Sequence, residues 1–196
     1  YAPVTQYVGF HFAPFDHNIF TPVIRTRIRE GKLTDQGHYT VYLPAYDDKK
    51  LLPILGKFPA VRWHVFSKHA KASYQVKRIS VYPVNNDAFT ASMTSCCGVL
   101  CGAGFETPAE ALHLQKKLLV VPMKGQYEQH YNAAALKALG IPVMKKMKKK
   151  SVKKIGEWLD MKKSAEISFD DITAEAVRTA VGLAQGVKVN ELITGP

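Results

Sequence analysis

The stretch Gly98–Gly140, GVLCGAGFETPAEALHLQKKLLVVPMKGQYEQHYNAAALKALG, decides the fold. It opens on an apolar run, Gly98–Ala103, that passes into a glycine turn, Cys101–Glu106. A helical pattern follows over Thr107–Gln115, then a second apolar run over Lys117–Met123. A polar loop, Pro122–Gln129, leads into a second helical pattern, Glu128–Leu139. Both apolar runs are almost unbroken, which suits strands buried on both faces of a parallel sheet. Strand, turn and helix at this spacing predict consecutive βαβ units.

The same alternation continues outward. Tyr39–Pro44, Val61–Ser67 and Ile79–Val84 read as strands, and Asp47–Lys57 and Asn86–Ser95 as helices. The fold class is therefore α/β, a Rossmann-like doubly wound parallel sheet. Gly140 is placed to end the Glu128–Leu139 helix, and Ile141–Val143 reads as a last short strand. Helices are predicted over Val152–Met161 and Ile172–Ala184, with Asp170 or Asp171 as cap for the second. Upstream, Pro22–Gly31 carries Pro near its start and Gly at its end, the asymmetry of a short helix. Pro3 and Pro14 argue against helix in residues 1–20, which read as an arm. The expected organisation is an arm and short helix over 1–31, the main domain over 32–163, and a C-terminal helix and tail over 164–196.

The 196 residues are 46% hydrophobic and 22% charged, which excludes disordered and fibrous classes. No run of apolar residues is long enough to span a bilayer. No signal peptide is visible, and the start at Tyr1 reads as a fragment or processed product. Cys96, Cys97 and Cys101 make an odd count in one window without CxxC, so they read as reduced thiols of a cytosolic protein, with no metal site. The formal charge is +11, and nine of the lysines fall between Lys145 and Lys163 against only Glu157 and Asp160. Such a run reads first as a solvated face. It also suits an anionic membrane surface, through Lys145–Lys154. No nucleic-acid partner is expected, because no recognition motif or interleaved aromatic accompanies the lysines.

The chemistry concentrates in two loops. In the first, Thr107 can cap a helix with Pro108 at its first position and Glu110 at its third, a capping box. The glycine turn ahead of that helix presents backbone N–H groups at the positive end of its dipole, an anion site. Gly102 and Gly104 would let a ligand approach the main chain. Tight turns for packing, and Glu110 as a capping residue alone, are the structural alternatives. In the second loop Gln126, Glu128 and Gln129 gather donors and acceptors suited to sugar hydroxyls, with Asn132 about one turn later. A polar helix start is the alternative there.

The blocks Gly102-x-Gly104-Phe105-Glu106-Thr107-Pro108-x-Glu110 and Gln126-Tyr127-Glu128-Gln129-x-x-Asn132-Ala133, with Pro122 between them, resemble the donor-binding signature of GT-B glycosyltransferases. They are similar to the plant and animal glucuronosyl/glucosyltransferase motif and to the transferase that makes lipid II. They also resemble the GAGFETPAEAL and QYEQ-x-x-NA blocks of a group of bacterial and archaeal glycosyltransferase-like proteins. The resemblance runs more weakly from Tyr7 to Met147. It implies the donor-binding half of an inverting hexosyltransferase using a nucleotide-sugar, most readily UDP-linked. Gly102, Gly104 and Thr107 would lie at the diphosphate and Glu110 at the ribose hydroxyls, with Ala103 and Phe105 among the donor-binding residues. Glu128 and Gln129 would contact the donor sugar with Gln126 near, Asn132 would be a further donor-binding residue, and the backbone of Val84 and Asn85 would meet the base. The acceptor site and general base would belong to an N-terminal half outside these residues, so the chain alone would bind nucleotide without transferring sugar. The family implies no cofactor and no metal. A cytoplasmic location, peripheral on the inner membrane face, fits that picture. Plant-type motifs carry a His where Gly102 stands, and their first loop is often glycine-rich, where this chain has Leu43–Asp47. A nucleotide-sugar 2-epimerase, or a basic module for nucleic acid or membrane surfaces, are the competing readings. His64, His69 and His113 read as core or surface residues, and His130 as a candidate ligand contact. His11 and His17 lie in the arm, with an interdomain cleft as the alternative to a plain surface role, and Trp63 and Trp158 read as core or interface aromatics.

Overall fold

The computed structural model describes residues 5–14, 16, 18–162 and 165–186. The chain divides into two compact units, one of residues up to Ile24 together with those from Phe169 on, the other Arg25–Ser168. The larger unit is built on a six-stranded sheet. Its strands are β3 (His38–Tyr42), β4 (Arg62–Ser67), β5 (Tyr74–Val76), β6 (Ile79–Pro83), β7 (Gly98–Gly102) and β8 (Lys117–Val121), in the order β5-β6-β4-β3-β7-β8. All pairs are parallel except β5 with β6. The chain starts at the centre in β3, winds outward through β4 to β6, then returns to β7 and β8. The winding direction reverses between β3 and β7, whose register sets Tyr42 opposite Cys101. That reversal is the doubly wound arrangement expected from the sequence, and it opens a crevice beyond the carboxyl ends of those two strands.

The helices follow the predicted pattern: α2 (Asp48–Leu55), α3 (Asn86–Ser95), α4 (Glu106–His113), α5 (Tyr127–Ala138) and α6 (Val152–Leu159). Asp47 and Asn85 cap α2 and α3, accepting from the backbone N–H of Lys49 and Ala88. On one face of the sheet Val41, Val65, Leu100 and Leu119 pack with Leu51 and Leu55 of α2 and Ile155 and Trp158 of α6. Val152, Ile155 and Trp158 recur at helical spacing, which turns one stripe of α6 inward. Trp63 and Trp158 are buried there with ring centroids 6.5 Å apart, and Tyr39 meets Trp158 edge-on at 5.1 Å. Both tryptophans are core residues, so Trp158 offers no aromatic anchor at the surface.

Helix α5 ends as its sequence predicts. Gly140 takes φ +82, its N–H reaches the carbonyl of Lys137, and Ile141 N–H reaches that of Leu136. This is the double bond pattern of a Schellman stop. Helix α4 ends the same way with Gln115 at φ +53, two residues after the last helical residue and without a glycine to mark it.

Four expectations are corrected. The capping box does not form: α4 begins at Glu106 after Phe105, which supplies no side-chain cap. Thr107 therefore lies inside the first turn. Pro108 is tolerated at the third helical position because first-turn N–H groups have no intrahelical partner. The Pro22–Gly31 helix shrinks to α1 (Thr26–Arg29), since Arg25, at φ −55 and ψ 137, still lies outside it. Ile141–Val143 makes a single parallel bridge, Val143 to Val120, and not a strand. Strand β5 has no counterpart in the sequence reading. Its turn into β6 uses Lys77 at φ +55 where hairpins usually carry Gly or Asn.

In the smaller unit β1 (Gly9–Phe10) and β2 (Ile19–Phe20) pair in parallel, and α7 spans Thr173–Ala184. The N-cap of α7 is Ile172 and not Asp170 or Asp171, a further correction; Asp171 stands one residue earlier and accepts from the N–H and hydroxyl of Thr173. His17 lies outside the described residues.

Candidate functional site

The loops that leave β3, β7 and β8 all lie at the carboxyl ends of the strands. The one after β3 turns tightly, with Tyr46 N–H bonded to Leu43 C=O, and Asp47 then caps α2. The one after β7 is the glycine turn. A methyl group added at Gly104 would meet nothing within 4 Å, and one at Gly102 would touch only Gln129 Oε1 at 3.5 Å. Neither glycine has a positive φ. The turn therefore does not demand glycine for its own backbone, and the open space over Gly104 leaves the main chain approachable. The start of α4 follows at once, with its N–H groups directed to the same place.

The second loop closes on the first. Asn132 of α5 donates from Nδ2 to the carbonyl of Ala103 at 3.1 Å. Gln129 accepts the N–H of Met123 at 3.0 Å and donates to Gln126 at 2.9 Å. Gln129 and Asn132 thus brace the two loops against each other, and Gln126 is drawn into the same network. Glu128 is exposed in the first turn of α5, and His130 is exposed beside it. Tyr127 and Tyr131, one turn apart, are both 77% exposed.

Glu110 sits deeper, in the middle of α4, and is 3% exposed. Both of its oxygens are taken by Arg25, Nε to Oε1 at 2.5 Å and Nη2 to Oε2 at 2.8 Å. The third contact of that guanidinium is Asn86 Oδ1 at 2.8 Å, at the start of α3. The fork of Arg25 thus joins α4 to the loop after β6, which holds the exposed Val84 and the capping Asn85. Those two residues leave β6, which β4 and β3 separate from β7, and Arg25 links the start of α3 beside them to Glu110. The hydrogen bond to Glu110 raises the Arg25 guanidinium above its ordinary value, against the lowering effect of burial. Arg25 was not singled out from the sequence. Its only signal is its place in the basic RTR triplet, which carries no mark of a partner 85 residues away.

A family model, glycosyl transferase family 1, matches residues 6–161. The chain belongs to that family. It is a glycosyltransferase domain with the Rossmann-like architecture of GT-B enzymes. Curated proteins offer no sequence match to it. Among solved structures it is similar to ALG13, determined by NMR in solution, at 10% identity and a TM-score of 0.52, covering 73% of this chain and 95% of that one. It is also similar to the glycotransferase of kitacinnamycin, at 13% identity and a TM-score of 0.54, covering 86% of this chain and 45% of that one. The family 1 domain thus spans nearly all of one relative and about half of the other. Among the described residues no helix is long and apolar enough to cross a membrane.

Elsewhere in the family 1 domain the three cysteines are free, with Cys96 and Cys101 buried. The thiol of Cys97 is pushed up to about 11 by burial and by its hydrogen bond to Asp35. His64 and the buried His38 stack with centroids 3.9 Å apart, and both bond Ser92 Oγ. Burial and then His38 hold His64 down at about 4, so it is neutral at ordinary pH.

Proposed function

We propose that this domain is the donor-binding half of a glycosyltransferase that takes a UDP-linked hexose and transfers it to an acceptor hydroxyl with inversion. The observation that carries the reading is the bond from Asn132 to Ala103. It ties the glycine turn at the start of α4 to the polar loop at the start of α5, on the carboxyl side of adjacent strands β7 and β8. An anion seated over Gly102–Gly104 meets the N–H groups of the first turn of α4, between Phe105 and Thr107. Preorganised donors there stabilise the charge that builds on the departing diphosphate. Glu128 and Gln126 supply acceptors and donors for the sugar, and the backbone of Val84 and Asn85 borders the base.

Glu110 serves the ribose in this reading, and its oxygens keep lone pairs for hydroxyl donors while Arg25 occupies the others. The acceptor hydroxyl attacks the anomeric carbon as the carbon–oxygen bond to the diphosphate breaks, and a general base removes the hydroxyl proton. That base and the acceptor site lie in a second, N-terminal half. The chemistry assigned to these residues requires no cofactor.

The test is calorimetric titration of the purified domain with UDP, GDP, ADP and dTDP. Saturable binding of UDP, weakened at least tenfold in Glu110→Gln and more than in Arg25→Ala, with both variants folded by circular dichroism, supports the reading. No binding of any of the four, by this domain or by its full-length parent, refutes it. A robust sugar-transfer rate from the 196 residues alone refutes the division of labour between halves.

A further inference from the structure

Beyond β8 the chain builds a second charged feature that donor binding does not use. Lys137, Lys145, Lys146, Lys148, Lys150 and Lys154 line one concavity of about 640 Å³, and no acidic residue is among its lining residues. The segment is not a loose basic tail. Met144 and Met147 are buried in the core while Lys145, Lys146 and Lys148 between and beside them are exposed. Met147 N–H bonds the Tyr46 hydroxyl at 3.1 Å. Ser151, itself buried, donates to Lys146 C=O and accepts Lys148 N–H, each at 3.0 Å. Lys154 Nζ reaches Val143 C=O at 2.7 Å. The lysines are therefore held on a fixed scaffold at the edge of the sheet. The Lys146 ammonium is held below its ordinary value by the adjoining Lys148 side chain, a like-charge contact that an incoming anion would relieve.

We propose that this lysine concavity docks the domain on an anionic membrane surface. Several like charges on one face attract a diffuse layer of headgroups, each lysine acting as a compact, strongly hydrated point charge. A duplex or single strand would be served by arginine forks and stacking aromatics, and the lining residues include neither. None of its lining residues is among those assigned to the donor.

The test is sedimentation of the full chain with vesicles of phosphatidylcholine alone and of phosphatidylcholine with 30 mol% phosphatidylglycerol, at about 0.1 M salt and again at higher salt. The expected result is binding to the anionic vesicles only, weakening as salt rises. Lys146→Glu/Lys148→Glu/Lys150→Glu should weaken it at least about 100-fold, from roughly fivefold per lysine removed before the added repulsion of the three glutamates. Lys49→Glu/Lys57→Glu/Lys68→Glu changes the net charge equally at other exposed sites and should keep most of the binding. Circular dichroism establishes that both variants fold, and the charge-neutral Lys146→Gln/Lys148→Gln/Lys150→Gln replaces the first if it does not. No binding to anionic vesicles overturns the proposal. So does equal loss in the control variant, which would reduce the effect to net charge. Saturable binding of inorganic pyrophosphate at the lysines without vesicle binding would assign a small-anion site instead. Tighter binding to duplex DNA than to vesicles at equal salt would assign nucleic acid.

Discussion

Replacing Arg25 by alanine probes the contact that joins α4 to the start of α3. Glu110 would keep its burial and lose both donors to its carboxylate. Removing one partner of a fully buried ion pair costs about 3–5 kcal/mol. Here the Arg25 side chain is 38% exposed, against 3% for Glu110, so water can replace part of what is lost. The expected loss for Arg25→Ala is therefore about 2 kcal/mol, a fall in Tm of about 4–8 °C for a chain of this size. Urea unfolding at pH 7 measures it, with Glu110→Ala and the double variant completing a cycle. The double variant should fall short of the sum of the singles by about 1–2 kcal/mol, because each single change strands a group that the double change removes. A loss below about 0.5 kcal/mol for Arg25→Ala, or strict additivity, would refute the assignment of this pair as a mutual support. The same variants separate architecture from ligand chemistry. If Glu110 serves only the pair, Arg25→Ala and Glu110→Ala reduce UDP affinity alike; if it meets the ribose, Glu110→Ala costs more.

Three further outcomes are expected. The unfolded chain takes up a proton on His64 as pH falls through about 6.5, whereas the folded chain, with burial and His38 holding the ring down, resists until about 4. Stability is thus full above the unfolded value and lost between the two, by about 1–2 kcal/mol once solvent screening is allowed for; His64→Gln should flatten that slope in thermal melts from pH 7 to pH 4.5. Gly98→Ala should destabilise by about 2 kcal/mol or more in urea unfolding, since its methyl carbon would lie 2.8 Å from Lys117 C=O and 3.0 Å from the Trp158 ring. Thr107→Ala should change stability by no more than about 0.5 kcal/mol, because its hydroxyl caps nothing; a loss above about 1 kcal/mol would restore the capping box.

The sheet and its helices were legible because the relevant signals are local. Gly98–Ala103 and Lys117–Met123 are almost unbroken apolar runs, Asn85 and Asp47 stand where caps are needed, and Gly140 marks a helix stop. The failures share the opposite property. Gln115 and Lys77 adopt left-handed backbone without the residues that announce it, so one helix end ran long and one edge strand went unseen. The capping box was a spacing without its geometry, since α4 starts one residue before Thr107. Within the candidate site the two blocks could be read together, but what binds them could not. Asn132 to Ala103 spans 29 residues, Arg25 to Glu110 spans 85, and no periodicity encodes either. The stacking of His38 on His64 is equally invisible, because it depends on the register of β3 against β4.

The placement of β3 at the centre of the sheet has a kinetic consequence. Its partner on one side is β4, about one helix away in sequence, and on the other β7, with Tyr39 opposite Gly98. The second pairing closes a loop of some 60 residues, so it follows the first. Until it forms, β3, β4 and β6 can assemble a half-sheet in which the glycine turn has no neighbour and the crevice does not exist. Such a half-sheet lacks the donor site proposed above. A donor added during refolding should leave the folding rate unchanged and act on the reverse step alone, lengthening the lifetime of the finished sheet.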